Sequence, residues 1–218
     1  LLRDGGSVQV DISAHALTKY PSGGGDVLMG SIITRDNALH MRLKLAHMRL
    51  GLGVGMNDVE LVLRSLPSTA LRYHAQDKTA RQLAAALQRQ NAVKQLLHPA
   101  FASSPGHAHW QQLCATPENP AGAAAGIFSV VFDAPQSQVD DFCNRLQLFK
   151  LGYSWGGHIS LVMPYALDEM RDLGRGAVLP GCLVRLCIGL EEAADLERDV
   201  AQAYGHAFGH AWRGQGVH

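Results

Sequence analysis

The chain has 218 residues, a length between one large domain and two small ones, and enough to bury a sizeable core. Hydrophobic residues make up 47% and charged residues 17%, which excludes an intrinsically disordered chain, and 19 Lys and Arg offset 19 Asp and Glu, which argues against a nucleic-acid binder with its basic excess. No run of about 18 uncharged apolar residues offers a membrane span, and the opening Leu1-Leu-Arg-Asp-Gly-Gly6 is neither an initiator Met nor a signal peptide, so the chain reads as a piece of something longer.

Residues 7–13 alternate apolar and polar, which predicts a strand, and the β-branched run 27–34 predicts a buried one. Between them Ala16-Leu-Thr-Lys-Tyr20 runs into Pro-Ser-Gly-Gly-Gly, a turn signal. Leu39, Leu43, Ala46 and Leu50 predict a helix over 36–50, closed by the break Gly51-Leu-Gly-Val-Gly55. Asn57 or Asp58 would cap a second helix carrying Val59, Leu61, Val62 and Leu66. A long helix follows from Ser68 to about Gln90, with Leu71, Ala75, Leu83 and Leu87 as its stripe. The expected domain boundary lies near residue 66, dividing 1–65 from 66–218.

In the second region Val93–Leu97 is a short apolar run and 99–126, rich in Pro, Gly and Ala, is a long loop. Ile127-Phe-Ser-Val-Val-Phe132 is the clearest strand, and Val139, Phe142 and Leu146 mark an amphipathic helix. Leu183-Val-Arg-Leu-Cys-Ile188 is another strand, and a last helix starts near Glu191-Glu192 with the stripe Leu196, Val200, Ala203 and Tyr204. This strand–helix–strand–helix order predicts an α/β sandwich, with a His- and Gly-rich tail fraying from Gly205. Cys114, Cys143, Cys182 and Cys187 have neither disulfide density nor zinc spacing, and read as reduced, mostly buried thiols of a cytoplasmic protein.

Three places carry chemistry. Lys19, between apolar strands and before a glycine turn, is placed to be desolvated, which makes an amine nucleophilic; on local pattern alone a surface lysine in a turn is the commoner reading. Arg185 stands inside an apolar strand, where a guanidinium either captures a ligand carboxylate or pairs with a protein acid. Tyr153-Ser-Trp-Gly-Gly157 lets backbone approach a ligand, or is an ordinary turn with a packed Trp. Gly51-x-Gly-x-Gly55 follows a helix rather than a strand and fails as a nucleotide loop, while His206 and His210 lack the acid of a zinc-protease helix, so no metal is expected.

These segments occur together in a recognisable order. Ser13-Ala-His-Ala-Leu-Thr-Lys-Tyr20 with Gly23 and Asp26, then Leu97-His-Pro99, Pro105-Gly-His-x-x-Trp110, Leu148-Phe-Lys-Leu-Gly-Tyr-Ser-Trp-Gly-Gly157 and Val184-Arg-Leu-Cys-Ile-Gly-Leu-Glu-Glu192 closing on Asp195-Leu, resemble the Cys/Met-metabolism family of pyridoxal-phosphate (PLP) enzymes. The resemblance implies the aspartate-aminotransferase fold type: residues 1–65 as the end of a large PLP domain with a mixed, mostly parallel sheet, and 66–218 as a small α/β domain. It implies that Lys19 joins the cofactor through its amine, that Thr18 contacts the cofactor phosphate, and that Arg185, helped by Ser154, binds the substrate carboxylate beside Trp155. The Ser-Trp-Gly-Gly form is similar to that of the β-lyases, which cleave cystathionine; γ-synthases and γ-lyases usually carry Leu at position 155. The implied substrate is a small sulfur amino acid and the implied assembly a homodimer or homotetramer, with no nucleic-acid or membrane partner. Ala16, Gly24-Gly25 and Ile159 depart from the family's usual residues. Relatives run to roughly twice this length with the lysine near the middle, so the chain resembles a C-terminal half that does not catalyse alone.

Overall fold

The computed structural model describes residues 10–167 and 181–214. The chain forms two compact units, Leu1–Thr69 and Ala70–His218.

In the first unit β1 (Ser13–Ala16) pairs antiparallel with β2 (Gly30–Ile33), from Ser13 opposite Ile33 to Ala16 opposite Gly30. The predicted first strand thus starts at its last residue; its residues 7–9 lie outside the described part. The predicted buried strand is in fact open, with Ile32 and Ile33 more than half exposed, because a two-stranded ladder has no second layer to cover it. Helix α1 (Asn37–Arg49) is capped by Asp36, whose Oδ1 accepts from Leu39 N at 2.6 Å. None of its apolar stripe is buried. Helix α2 (Met56–Ser65) starts after Gly55 rather than at Asn57 or Asp58, and Val62 is its one buried residue. Pro67 then sits in a 3-10 turn, Leu66–Ser68, that leads into α3 (Thr69–Gln88).

The second unit is a five-stranded mixed sheet in the order β3 (Val93–Leu97), β4 (Ile127–Phe132), β7 (Cys182–Cys187), β6 (Leu161–Tyr165), β5 (Lys150–Leu151). Only the short β5–β6 pair is parallel. Phe128, Val130 and Phe132 of β4 and Val184 and Leu186 of β7 line one face. They bury against Leu83 and Leu87 of α3, Val139 and Phe142 of α5 (Gln136–Arg145), and Leu196, Val200 and Tyr204 of α6 (Ala193–Phe208). The architecture is therefore α/β, with one closed core.

Four expectations change here. The buried ridge of α3 is Gln76, Ala80, Leu83, Ala84 and Leu87, while Leu71 and Ala75 are exposed; Gln76 enters the core because its amide donates to Gly157 O at 2.6 Å. The loop 99–126 contains α4 (His107–Cys114), which is short and bounded by Pro and Gly and so has little periodicity to read. It is held by Trp110, whose Nε1 donates to Ala123 O at 3.2 Å and whose ring lies 5.5 Å under the Arg81 guanidinium. Strands β5 and β6 went unread because one is two residues long and the other contains Pro164. That proline is tolerated since β5 pairs only with Leu161 and Val162. The tail does not fray at Gly205: α6 continues to Phe208, Trp212 packs edge-to-face on Tyr204 at 5.6 Å, and Gln90 exchanges two 3.1 Å hydrogen bonds with the backbone of Arg213.

Candidate active site

Thr18 and Lys19 lie in the half-buried turn that leaves β1. Its backbone is fixed by Lys19 N donating to Ala16 O (3.2 Å), Ser22 N to Leu17 O (2.9 Å) and Gly23 N to Lys19 O (2.9 Å), bonds in which the Lys19 amine takes no part. Thr18 ties this turn to the approach to β2: its N and Oγ1 donate to Met29 O and its Oγ1 accepts from Met29 N at 3.0 Å. A phosphate contact from Thr18 would draw its hydroxyl away from Met29 O, a 3.2 Å bond. Gly23 and Gly25 take positive φ, so these two glycines suit the turn they form. The turn sets a lysine next to a threonine, the residue types that an aldehyde cofactor carrying a phosphate would use.

In the second unit the register explains how Arg185 sits in an apolar strand. It is at the middle of the central strand β7, opposite Ser129 of β4 and Met163 of β6. Its neighbours Val184 and Leu186 point into the core, so Arg185 emerges on the other face. There Nη2 donates to Gly152 O (3.2 Å) and Ser154 O (3.5 Å), and the guanidinium lies 5.9 Å from the ring centres of both Trp155 and Tyr165. Among the described residues no carboxylate pairs with Arg185, and both of its hydrogen bonds leave from Nη2. Nε and Nη1 face opposite sides of the guanidinium, so a two-pronged grip on a carboxylate would pair Nη1 with Nη2, which would have to turn from the weaker bond to Ser154 O. The structure thus brings Arg185, Ser154 and Trp155 together, as it does Lys19 and Thr18 in the first unit.

Three residues here escape a reading of the sequence. Tyr165 reaches Arg185 from β6, a strand masked by Pro164, and touches Tyr153 edge-to-face at 6.2 Å. Glu191, read as a helix-start acid, instead accepts from Ser160 N (2.7 Å) and Ser160 Oγ (2.8 Å). Asp199 accepts from Gln147 N and Leu148 N, each at 2.8 Å, and fixes the entry to the Leu148–Gly157 segment. Its heptad place among Leu196, Val200 and Ala203 is the one signal that could have marked it. His98 is fully buried, with Nδ1 accepting from Ala100 N at 3.2 Å. Burial first, and Arg81 second, push its pKa down to about 4, against an opposing pull from Asp77, so it is a neutral core residue. Burial, reinforced by Asp140, pushes the Cys143 thiol up to about 12, which leaves it inert. No disulfide forms among the described residues, though Cys114 is exposed rather than buried. Nor do they contain a group of three metal-ligating side chains, or a helix long and apolar enough to cross a membrane.

Comparison with known proteins places this geometry. Cystathionine beta-lyase of Bordetella avium is 36% identical over 199 residues, covering 90% of this chain and 48% of that protein. Cystathionine gamma-synthase of Mycobacterium bovis is 32% identical over 196 residues, covering 89% and 49%. The crystal structure of cystathionine gamma synthase from Xanthomonas oryzae pv. oryzae in complex with cystathionine superposes with a TM-score of 0.78 at 29% identity, covering 92% of this chain and 51% of that one. The chain therefore spans about half the length of the proteins it matches. The profile of the Cys/Met metabolism PLP-dependent enzymes, a family that uses pyridoxal 5'-phosphate, matches residues 5–205, and this chain belongs to that family.

Proposed function

We propose that the full-length protein is a cytoplasmic carbon–sulfur β-lyase of the cystathionine β-lyase type, acting in methionine biosynthesis and transsulfuration. It would cleave cystathionine with water to homocysteine, pyruvate and ammonia. In this reading residues 1–65 are the C-terminal part of the large PLP-binding domain, 66–218 are the small domain, and the working enzyme is a homodimer or homotetramer. The single observation that carries the reading is the Arg185 guanidinium, flanked by aromatic faces, hydrogen-bonded to carbonyls through one nitrogen, and unpaired with any acid among the described residues.

The chemistry of these residues follows. Arg185 would grip the substrate α-carboxylate through Nη1 and Nη2, Nη2 turning from its 3.5 Å bond to Ser154 O, with Ser154 beside it and Trp155 closing one side. Two contacts to one planar carboxylate fix the direction of the neighbouring Cα–H bond. The cofactor, when bound, supplies an electron sink for charge that develops at Cα. Lys19 would be the residue that holds the cofactor, and its amine would take the Cα proton as general base. The sulfur would leave from Cβ as its thiol, taking the proton that Lys19 removed from Cα, and hydrolysis of the three-carbon remainder would give pyruvate and ammonia. Thr18 would contact the phosphate end of the cofactor by turning its hydroxyl from Met29 O.

Trp155 favours the β-lyase reading. The alternative, a γ-lyase or γ-synthase, is favoured by relatives at 32% identity that carry those names. Incubating the full-length enzyme with cystathionine separates them, since pyruvate marks β-cleavage and 2-oxobutyrate marks γ-cleavage. Lys19→Ala is expected to abolish both turnover and the visible absorbance gained on adding pyridoxal 5'-phosphate, and retained turnover would sink the role of Lys19. The 218-residue chain alone is expected to show no turnover.

A further inference from the structure

Segment Gly152–Ser160 supplies both carbonyls that hold Arg185, yet its own sequence gives it little stiffness. It contains three glycines, and Gly156 takes φ +77°. Its shape is imposed from outside. At its far end both Glu191 oxygens grip Ser160, which is fully buried, and Ser160 Oγ in turn accepts from Gly189 N at 2.9 Å. Leu190 N donates to His158 O at 2.9 Å, and a Cβ at Gly189 would collide with His158 O and Ile159, so the two segments touch backbone to backbone. At the middle, Gln76 reaches from α3 and donates to Gly157 O. Gln76 is 1% exposed, and its Oε1 has no partner among the described residues. A buried amide left half-satisfied destabilises the fold, so its presence calls for a reason other than stability.

We infer that Glu191 and Gln76 are positioning residues for carboxylate recognition. They fix Gly152–Ser160 so that the carbonyls of Gly152 and Ser154, through Nη2, set the plane in which the Arg185 guanidinium meets the ligand. Glu191 fastens the end of the segment through a carboxylate accepting two bonds, and Gln76 fastens its glycine centre. Neither touches the ligand itself. The inference rests on the role given above to Arg185.

The test uses the full-length enzyme loaded with pyridoxal 5'-phosphate, and compares inhibition by L-alanine with inhibition by ethylamine, which has the amine but no carboxylate. Losing a charge-assisted bond that orients the clamp is expected to weaken L-alanine about 10-fold in Glu191→Ala. Ethylamine should stay within about 2-fold, and kcat/KM for cystathionine should fall with a rise in KM. Gln76→Met, which keeps the side chain's length, should show the same selectivity to a smaller degree. Glu191→Asp should recover part of the L-alanine affinity. Unchanged L-alanine inhibition in both Glu191→Ala and Gln76→Met, or an equal loss for both inhibitors, would overturn the inference. Arg185→Ala measured alongside tells the two readings apart. If it weakens L-alanine while the other variants do not, the positioning role alone falls; if it too leaves L-alanine unchanged, the clamp itself falls.

Discussion

The two units obey one rule to different degrees. In the second, the apolar faces of α3, α5, α6 and the sheet meet in a single core where Phe132, Phe142 and Phe208 lie ring against ring at 5.1 to 5.9 Å. In the first, Leu28, Met48, Leu50 and Met56 are each more than two-thirds exposed and α1 buries nothing. Both units have regular helices with proper starts, so the difference is not one of secondary structure. Local signals suffice to make a helix, but only a second layer buries its stripe. Among the described residues no such layer covers α1.

Substitutions can break this contrast, and the largest effect belongs to the closed core. Phe132→Ala, at a fully buried ring, should destabilise the second unit by about 3–5 kcal/mol in chemical denaturation; a loss below 1 kcal/mol would show that the core is not close-packed. Next comes acid. His98 is held neutral in the folded unit with a pKa of about 4, whereas the unfolded chain protonates it near 6.5. The unfolded state therefore binds more protons between those values, and stability falls as pH drops from about 6.5 to 4. Compared with His98→Asn, the parent chain should lose on the order of 2 kcal/mol more across that window, an effect visible as a steeper fall in Tm. Gly189→Ala should cost about 1–3 kcal/mol, since its methyl meets the backbone of His158 and Ile159 and the Glu191 carboxylate. Met48→Ala should move the stability of the 218-residue chain by no more than about 0.5 kcal/mol, because its side chain is already in water. A larger loss would mean that the first unit is covered after all.

Much of the second unit was legible in the sequence. Ile127–Phe132 and the stripe of α6 stood out because long apolar runs and a clean 3.6-residue period report burial directly. Strand β6 was not legible, since its Pro164 is permitted by a neighbour strand two residues long, a fact of pairing rather than of pattern. The face of α3 was misplaced because Gln76 joins the ridge through a bond to a carbonyl 81 residues away. Lys19 and Arg185 could be singled out as a lysine before a glycine turn and a charge in an apolar strand. Tyr165 and Glu191 could not, because nothing near them in the chain marks what they touch.

The sequence by itself determined the α/β class, the family and the residue types of the clamp, since ordered motifs and periodicity are local properties of the chain. Only the tertiary structure decided that Arg185 leaves the core face of β7, that its partners are carbonyls and aromatic rings rather than an acid, and that Glu191 grips Ser160. Those facts depend on strand register and on contacts across 20 to 33 residues of chain, where the alternation of a sheet and the reach of a side chain, not sequence proximity, set what meets what.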